Sequence, residues 1–270
     1  MLDPFVLRAI LGILFASLSV PISVLMLLRG SLYITPEISH AALGGAALGV
    51  LLQMFIPILT DPFPIVIAFC VATAIFVSKA GKNGQQSLGM MLSVSLAISV
   101  TLYAIIRGCC LPADKRVIVD GYLISDLLLL SDIDVLSLAI ASTITVVTTL
   151  IFYKEFIYIC FDMETAEALG LRVGLYDSLL FSISAVTVAI ITRAMGVLLS
   201  VTLLIIPAAI SRLITQRTER MLIASFTIAI LLGLAGITLS LHFNIPTSGA
   251  IALTSTALFI LIYLIKPKKI

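Results

Sequence analysis

The chain has 270 residues, of which 61% are hydrophobic and only 11% are charged. Soluble domains are roughly half apolar, so this composition excludes a soluble fold and predicts an integral membrane protein. Sixteen Lys and Arg nearly balance fourteen Asp and Glu, which excludes the strongly basic surface expected of a nucleic-acid-binding protein.

Apolar runs predict an all-α fold, a polytopic transmembrane bundle of about nine helices in one domain that covers residues 1–270. A bilayer crossing needs about 20 mostly apolar residues, and the runs lie near 5–28, 36–59, 62–78, 88–106, 134–153, 177–192, 195–214, 221–240 and 248–265. Connections at Asp61 and around Arg193 are short enough to require antiparallel hairpins. The longest non-spanning segment runs from Arg107 to Asp132, and its apolar patch at 127–130 is too short to cross.

Positive charge predicts which side of the membrane each loop faces. If the loop 154–176 is cytoplasmic, alternation places eleven of the sixteen Lys and Arg on that side, including Arg29, and leaves Arg8 and Arg193 outside. This distribution follows the positive-inside rule and favours an external N-terminus. The adjacent Cys109 and Cys110 are interpreted as small loop residues, because cysteine metal ligands are usually spaced as C-x₂-C or wider.

Small residues recur along the second predicted helix. Ala41, Gly45 and Gly49 lie four residues apart, which is typical of closely packed membrane helices. A polar group precedes them: Glu37, Ser39 and His40. A charged side chain at the centre of a membrane helix costs about 2.5–3.5 kcal/mol or more, so such residues usually face a partner or a watery cavity.

Glu37 and His40 lie three residues apart and so share one face of a helix. A carboxylate and an imidazole on one face can bind a divalent metal such as Zn²⁺ or Mn²⁺. The structural alternative is that Glu37 follows Pro36 in the first helical turn, where the helix dipole favours a carboxylate, and that His40 only hydrogen-bonds a neighbour. His242, at a helix end, is interpreted as an ordinary solvated histidine.

A short helix is predicted between two membrane helices, near 162–170. Asp162 is a suitable N-cap, Glu164 lies in the first turn and Gly170 is a suitable residue just beyond the C-terminus. A loop that only joins two spans needs no capped helix, so this segment predicts a docking surface for a cytoplasmic protein. The alternative is a helix lying on lipid headgroups, where Asp162, Glu164 and Glu167 would meet an anionic surface.

These segments resemble the membrane permeases of bacterial ABC importers for zinc, manganese and related metals. The resemblance extends over nearly the whole chain. Three stretches carry it, namely ISHAALGGAALG at 38–49, ETAEALGLRV at 164–173 and GVLLSVTLLIIPAA at 196–209.

The resemblance implies a type II-like ABC importer permease in the bacterial inner membrane, which binds no cofactor of its own. It implies a homodimer, cytoplasmic ATPase subunits that hydrolyse ATP, and an extracytoplasmic metal-binding protein. The cargo ranked first is Zn²⁺, followed by manganese and iron. The residues implied to couple to the ATPase are Asp162, Glu164, Ala166, Glu167 and Gly170. The chain itself has no G-x-x-x-x-G-K-[ST] phosphate-binding loop.

The resemblance also implies a metal-binding role for His40. We hypothesise that transport occurs by alternating access, with the metal passing His40 on a path between the two permeases. The family commonly has Asp four residues before this histidine, whereas this chain has Pro36 there and Glu37 one residue later. Pro207 is expected to bend its helix, with Thr202 satisfying the freed backbone groups.

The residues leave two other functions as alternatives, an ion- or proton-coupled secondary transporter and an intramembrane enzyme. A secondary transporter usually shows repeated halves, and the sequence has no convincing internal repeat. An intramembrane metalloenzyme would carry a motif such as H-E-x-x-H, which is absent.

Overall fold

The computed structural model describes residues 3–55, 61–81, 85–108, 113–123 and 125–265. Within these ranges the chain is helical, with one 3-10 helix at Leu127–Leu129. Cys109 and Cys110 lie outside the described residues. The α-helices are α1 Pro4–Leu28, α2 Ile34–Phe55, α3 Phe63–Gly81, α4 Gln85–Gly108, α5 Ala113–Leu123, α6 Asp132–Ile151, α7 Tyr153–Phe161, α8 Met163–Ala168, α9 Val173–Ile214, α10 Thr218–Phe243 and α11 Thr247–Ile265.

The all-α prediction is confirmed, but the predicted count of about nine helices differs from the eleven α-helices in the described ranges. Three short helices, α5, α7 and α8, lie between the long ones. The two helices predicted at 177–192 and 195–214 form the two arms of α9. In the part of the chain that the structure describes, five helices are long and apolar enough to cross a membrane, namely α1, α6, α9, α10 and α11. These are the helices of an integral membrane protein.

Helix α9 folds back on itself at Gly196. This residue has φ 78° and ψ 167°, a conformation that is essentially restricted to glycine. The Thr192 hydroxyl donates a hydrogen bond to Ser200 Oγ at 3.0 Å, although eight residues of straight helix would separate them by about 12 Å. The arms 173–195 and 197–214 are therefore antiparallel. The hairpin predicted around Arg193 is present, and its reversal lies three residues further on.

Helices α2 and α3 approach each other through glycines. A Cβ added at Gly45 would lie 2.9 Å from the Val66 Cα, and one at Gly49 would lie 3.1 Å from the Pro62 Cα. Ala41, one turn before Gly45, is fully buried. Real Cβ atoms essentially never lie within 3.0 Å of another heavy atom, and the Cβ at Gly49 would also lie 2.7 Å from the Pro62 Cβ. The two helices can therefore adopt this separation only because both positions lack a side chain.

Ion pairs mark the two ends of the bundle. Arg8, near the start of α1, pairs with Asp132 at 2.7 Å, and Arg29, just beyond its end, pairs with Asp177 at 3.0 Å. We call these the Arg8 end and the Arg29 end. The apolar patch 127–130 does not cross the bundle, as predicted. It packs on α1, where a Cβ at Gly12 would lie 2.5 Å from Leu130 Cδ1.

Candidate functional site

The polar group of α2 lies level with a point midway between Pro62, just before α3, and Ser78 in its last turn. The Cys70 thiol lies 3.7 Å from the Ile38 carbonyl oxygen, to which it donates. Cys70 is eight residues from Pro62 and eight from Ser78, which places it about 12 Å along the helix from each. The Glu37–His40 segment is therefore at mid-depth, where a charged group is most expensive.

Glu37 is buried, and its carboxylate has no partner among the described residues. Its side chain is 2% exposed, and neither carboxylate oxygen accepts a hydrogen bond from the part of the chain that the structure describes. It borders a cavity of about 320 Å³ between α2, α3 and α4. The other lining residues are Phe69, Ala72, Thr73, Phe76, Val94 and Ile98. A buried carboxylate is costly unless it is paired or binds a cation.

Thr73 is the other polar side chain among the described residues that line this cavity. Its hydroxyl donates to the Phe69 carbonyl oxygen at 2.9 Å, so the Thr73 oxygen keeps its accepting capacity. The cavity thus presents two oxygen-bearing side chains among aromatic and aliphatic ones. A hard or borderline cation is the ligand that such oxygens favour.

His40 is half-buried and lies three residues after Glu37 on α2, but it does not line the Glu37 cavity. Among the described residues there is no group of three or more His, Cys, Asp or Glu that could hold a metal ion. A shared metal between Glu37 and His40 therefore remains a prediction, and these two side chains alone would leave its coordination incomplete.

Ser39 has a structural role that the sequence did not indicate. Its hydroxyl donates to the Thr35 carbonyl oxygen at 2.9 Å and lies 3.1 Å from Ser200 Oγ. Ser200 in turn accepts from Thr192 across the reversal of α9. These contacts attach α2 to both arms of α9. The recognisable signal is the placement of Thr192 and Ser200 four residues on either side of Gly196.

Helix α8 has the caps that its sequence predicts. Asp162 is the N-cap and accepts from the Thr165 hydroxyl at 2.5 Å and from the Thr165 backbone N–H at 3.0 Å. These two hydrogen bonds from Thr165, the side-chain one foremost, hold the pKa of Asp162 below its usual range. Gly170 follows the C-cap with φ 83°, and its N–H donates to the Glu167 carbonyl at 2.9 Å.

One face of α8 is anchored and the other is free. Ala166 is fully buried, whereas Glu164 and Glu167 are exposed. Leu169, just beyond the helix, is 65% exposed. The structure therefore presents two carboxylates beside an apolar side chain on a short capped helix, and these carboxylates would be repelled by an anionic headgroup surface.

Asp177 was not singled out from the sequence. Its carboxylate is completely buried, and it accepts from Arg29 Nε at 3.0 Å and from the Ser78 hydroxyl at 2.6 Å. The partners are 148 and 99 residues away in the chain. A single sequence shows the three residues but not that they meet.

The expected role of Thr202 is wrong. Its hydroxyl donates to the Leu198 carbonyl oxygen at 2.8 Å, whereas the carbonyl freed by Pro207 would be that of Leu203, four residues earlier. Within α9 the one residue with non-helical backbone angles is Gly196. A bend at Pro207 stays a prediction. His242 is exposed, as its interpretation as a solvated histidine requires.

Known proteins resemble this chain over almost its whole length. Manganese transport system membrane protein MntB of Synechocystis is 28% identical over 98% of this chain and 84% of its own length. High-affinity zinc uptake system membrane protein ZnuB of Haemophilus influenzae is 26% identical over 93% of each. The solved structure of PsaBC from Streptococcus pneumoniae in complex with Fab has the same fold, with a TM-score of 0.80 over 99% of this chain and 94% of that one, at 24% identity.

The family assignment rests on a match that covers nearly every residue. The match to the ABC 3 transport family extends over residues 2–266, which include α2 with its polar group, α8 with its caps and the hairpin of α9. The chain therefore belongs to the ABC 3 transport family.

Proposed function

We propose that this chain is the permease subunit of a bacterial inner-membrane ABC importer that carries Zn²⁺ or Mn²⁺. The observation that carries the proposal is Glu37, a carboxylate buried at mid-depth, unpaired among the described residues and bordering a cavity. Relatives over nearly the full length are named for manganese transport and for zinc uptake. Imidazole and carboxylate ligands accept both ions.

We propose nine crossings. The five helices that are long and apolar enough to cross give six spans when the two arms of α9 are counted separately, and α2, α3 and α4 would add three. An odd number places the termini on opposite sides. With the Arg29 end in the cytoplasm, the N-terminus and the hairpin tip near Arg193 are outside, in agreement with the positive-inside rule.

The ion is held by Glu37 and His40, and a second copy of the chain completes its coordination. Zn²⁺ in protein sites is usually four-coordinate, and one chain supplies two candidate ligands here. A pair of permeases related by two-fold symmetry would bring two Glu37 and two His40 side chains to one passage. Each chain then contributes few ligands and binds the ion weakly, so the ion can leave the site and continue through the passage.

A separate ATPase subunit binds α8 and supplies the energy for transport. The exposed carboxylates Glu164 and Glu167 and the exposed Leu169 form the contact surface, while Asp162 and Gly170 keep the helix short and rigid. An extracytoplasmic metal-binding protein delivers the ion to the Arg8 end. ATP binds only to the partner.

Metal uptake tests the passage. In cells that depend on this importer, His40→Ala and Glu37→Ala are each expected to abolish uptake of the transported ion, with zinc and manganese measured in parallel. His242→Ala is the matched control, because His242 is exposed at the end of α10 and its loss leaves uptake unchanged. Full uptake by both site variants would remove Glu37 and His40 from the passage. Uptake that persists after ATP depletion would favour a gradient-driven transporter instead.

Co-purification tests the docking surface. Glu167→Lys is expected to weaken the complex with the ATPase, because it reverses a charge on the exposed face of α8. Glu219→Lys reverses an exposed charge at the same end of the bundle, outside α8, and is expected to leave the complex intact. Equal retention of the ATPase by both variants would contradict the assignment.

A further inference from the structure

Three helices meet at one buried carboxylate at the Arg29 end. Arg29 is the C-cap of α1, Ser78 lies in the last turn of α3, and Asp177 lies in the second turn of α9. Both oxygens of Asp177 are used, one by Arg29 and the other by Ser78. We call these three residues the Asp177 cluster.

The cluster is fixed to α8 through a short connection. Four residues, 169–172, separate α8 from α9. Backbone hydrogen bonds brace this connection: the Leu171 N–H donates to the Ala166 carbonyl at 3.1 Å, and the Val173 N–H donates to the Leu171 carbonyl at 2.9 Å. Ala166 is fully buried beneath the helix. A displacement of α8 therefore moves the first turns of α9.

The cluster is also fixed to the segment that carries the candidate site. Residues 30–33 alone separate Arg29 from the start of α2, and the Ser31 N–H donates to the Met26 carbonyl at 2.8 Å. On the other side, Ser78 belongs to α3, which packs closely on α2 at Gly45. Glu37 therefore lies on α2, which begins shortly after Arg29 and packs against α3, the helix of Ser78. Both Arg29 and Ser78 bind Asp177.

We propose that the Asp177 cluster transmits the movement of α8 to the part of α2 that carries Glu37 and His40. This inference rests on the proposed function, and it makes Arg29, Ser78 and Asp177 positioning residues for transport. A charged hydrogen bond between buried groups is short and directional, and separating it exposes uncompensated charge in a low-dielectric interior. The three helices must therefore move together, whereas a contact of apolar side chains would allow them to slide.

The test uses the permease–ATPase complex reconstituted in vesicles. Asp177→Asn keeps the size of the side chain and removes its charge. We expect this variant to assemble with the ATPase and to hydrolyse ATP, while uptake of Zn²⁺ and Mn²⁺ falls about tenfold. Asp177→Glu, which keeps the charge, is expected to recover much of that uptake. Thr145→Val, which removes a buried hydroxyl contact with Thr187 between α6 and α9 outside the cluster, is the matched control and leaves uptake unchanged.

Amide hydrogen exchange gives a readout that does not depend on the cargo. In the unmodified complex, ATP binding is expected to change exchange in residues 163–172 and in residues 34–45. In Asp177→Asn the first change remains and the second is lost. If the unmodified complex moves neither ion, the proposed cargo fails, but the exchange pattern still decides the transmission.

Three results would overturn the inference. One is full uptake by Asp177→Asn together with the normal response of α2 to ATP. Another is loss of uptake with that response intact, which would assign the cluster to a different step. The third is failure of Asp177→Asn to assemble with the ATPase, which would make the cluster a requirement of folding alone.

Discussion

Glu37 and Asp177 are equally buried carboxylates with opposite surroundings. Asp177 is 0% exposed and accepts hydrogen bonds from Arg29 and Ser78, whereas Glu37 is 2% exposed and its oxygens have no partner among the described residues. Burial alone therefore does not distinguish the two carboxylates. The difference lies in their partners, and the proposed function assigns the ion to Glu37 because an unpaired buried carboxylate is costly unless a cation or a proton neutralises it.

The largest expected effect comes from removing the partner of Asp177. Arg29→Met leaves a buried charge without compensation, and we expect the free energy of unfolding to fall by about 3–5 kcal/mol. Arg8→Met removes the equivalent partner of Asp132, which is 79% exposed, and should cost at most about 1 kcal/mol. Thermal unfolding of the purified protein in detergent measures both, and losses of equal size would contradict the comparison.

Removing the second partner should have a smaller effect of the same sign. Ser78→Ala deletes one hydrogen bond to the charged Asp177 carboxylate, and we expect a loss of about 1.5–3 kcal/mol. Ser17→Ala is the matched control, because Ser17 is also buried but its hydroxyl has no partner among the described residues. A control that is destabilised as much as Ser78→Ala would show that the loss reflects packing and not the hydrogen bond.

Glu37→Gln should act in the opposite direction on stability. Because Glu37 has no partner to lose among the described residues, the substitution removes a desolvation penalty, so the unfolding free energy should stay level or rise by about 1 kcal/mol. Uptake of zinc and manganese should nevertheless fall to background. Unfolding in metal-free detergent solution and uptake in cells are the two measurements. A clear loss of stability would mean that Glu37 has a structural partner after all.

The smallest effect concerns Asp162, a carboxylate that is exposed and paired. Its pKa lies below the ordinary 3.8 because the folded cap stabilises the charged form, so the stabilisation is complete above that ordinary value and is lost as pH falls through the lowered pKa. Binding of the ATPase to α8 should therefore be unaffected by the cap between about pH 8 and pH 5.

Substitution separates the charge of Asp162 from its capping. Asp162→Asn still accepts from the Thr165 N–H, so we expect near-normal co-purification with the ATPase. Asp162→Ala lets the first turn fray and should weaken it. Equal behaviour of the two variants would show that the cap is not needed for binding.

The helices could be predicted because their signals are local. Apolar runs located the long helices to within a few residues, and Asp162 and Gly170 located α8. The apolar runs do not predict α5 and α7, because both helices are short and lie between the long apolar segments. The hairpin of α9 was expected at the polar residue Arg193, but its reversal depends on backbone angles that only Gly196 can adopt.

The candidate site could be predicted only in part. The energetic cost of charge within a membrane helix drew attention to Glu37 and His40 from sequence alone. The cavity, the role of Ser39 and the Asp177 cluster depend on contacts between residues far apart in the chain, as between Asp177 and Arg29. One sequence without its relatives carries no record of such pairs.

The single glycine at the turn of α9 bears on how the chain enters the bilayer during synthesis. Between residues 178 and 211 the one charged residue is Arg193. Insertion of the two arms of α9 therefore brings one charged side chain, and no polar loop, to the opposite side of the membrane. Arg193 is met there by Asp61 at 3.1 Å and by the ring of Phe63, both supplied by chain made earlier. The α2–α3 hairpin thus holds a counter-charge in place before the later hairpin arrives.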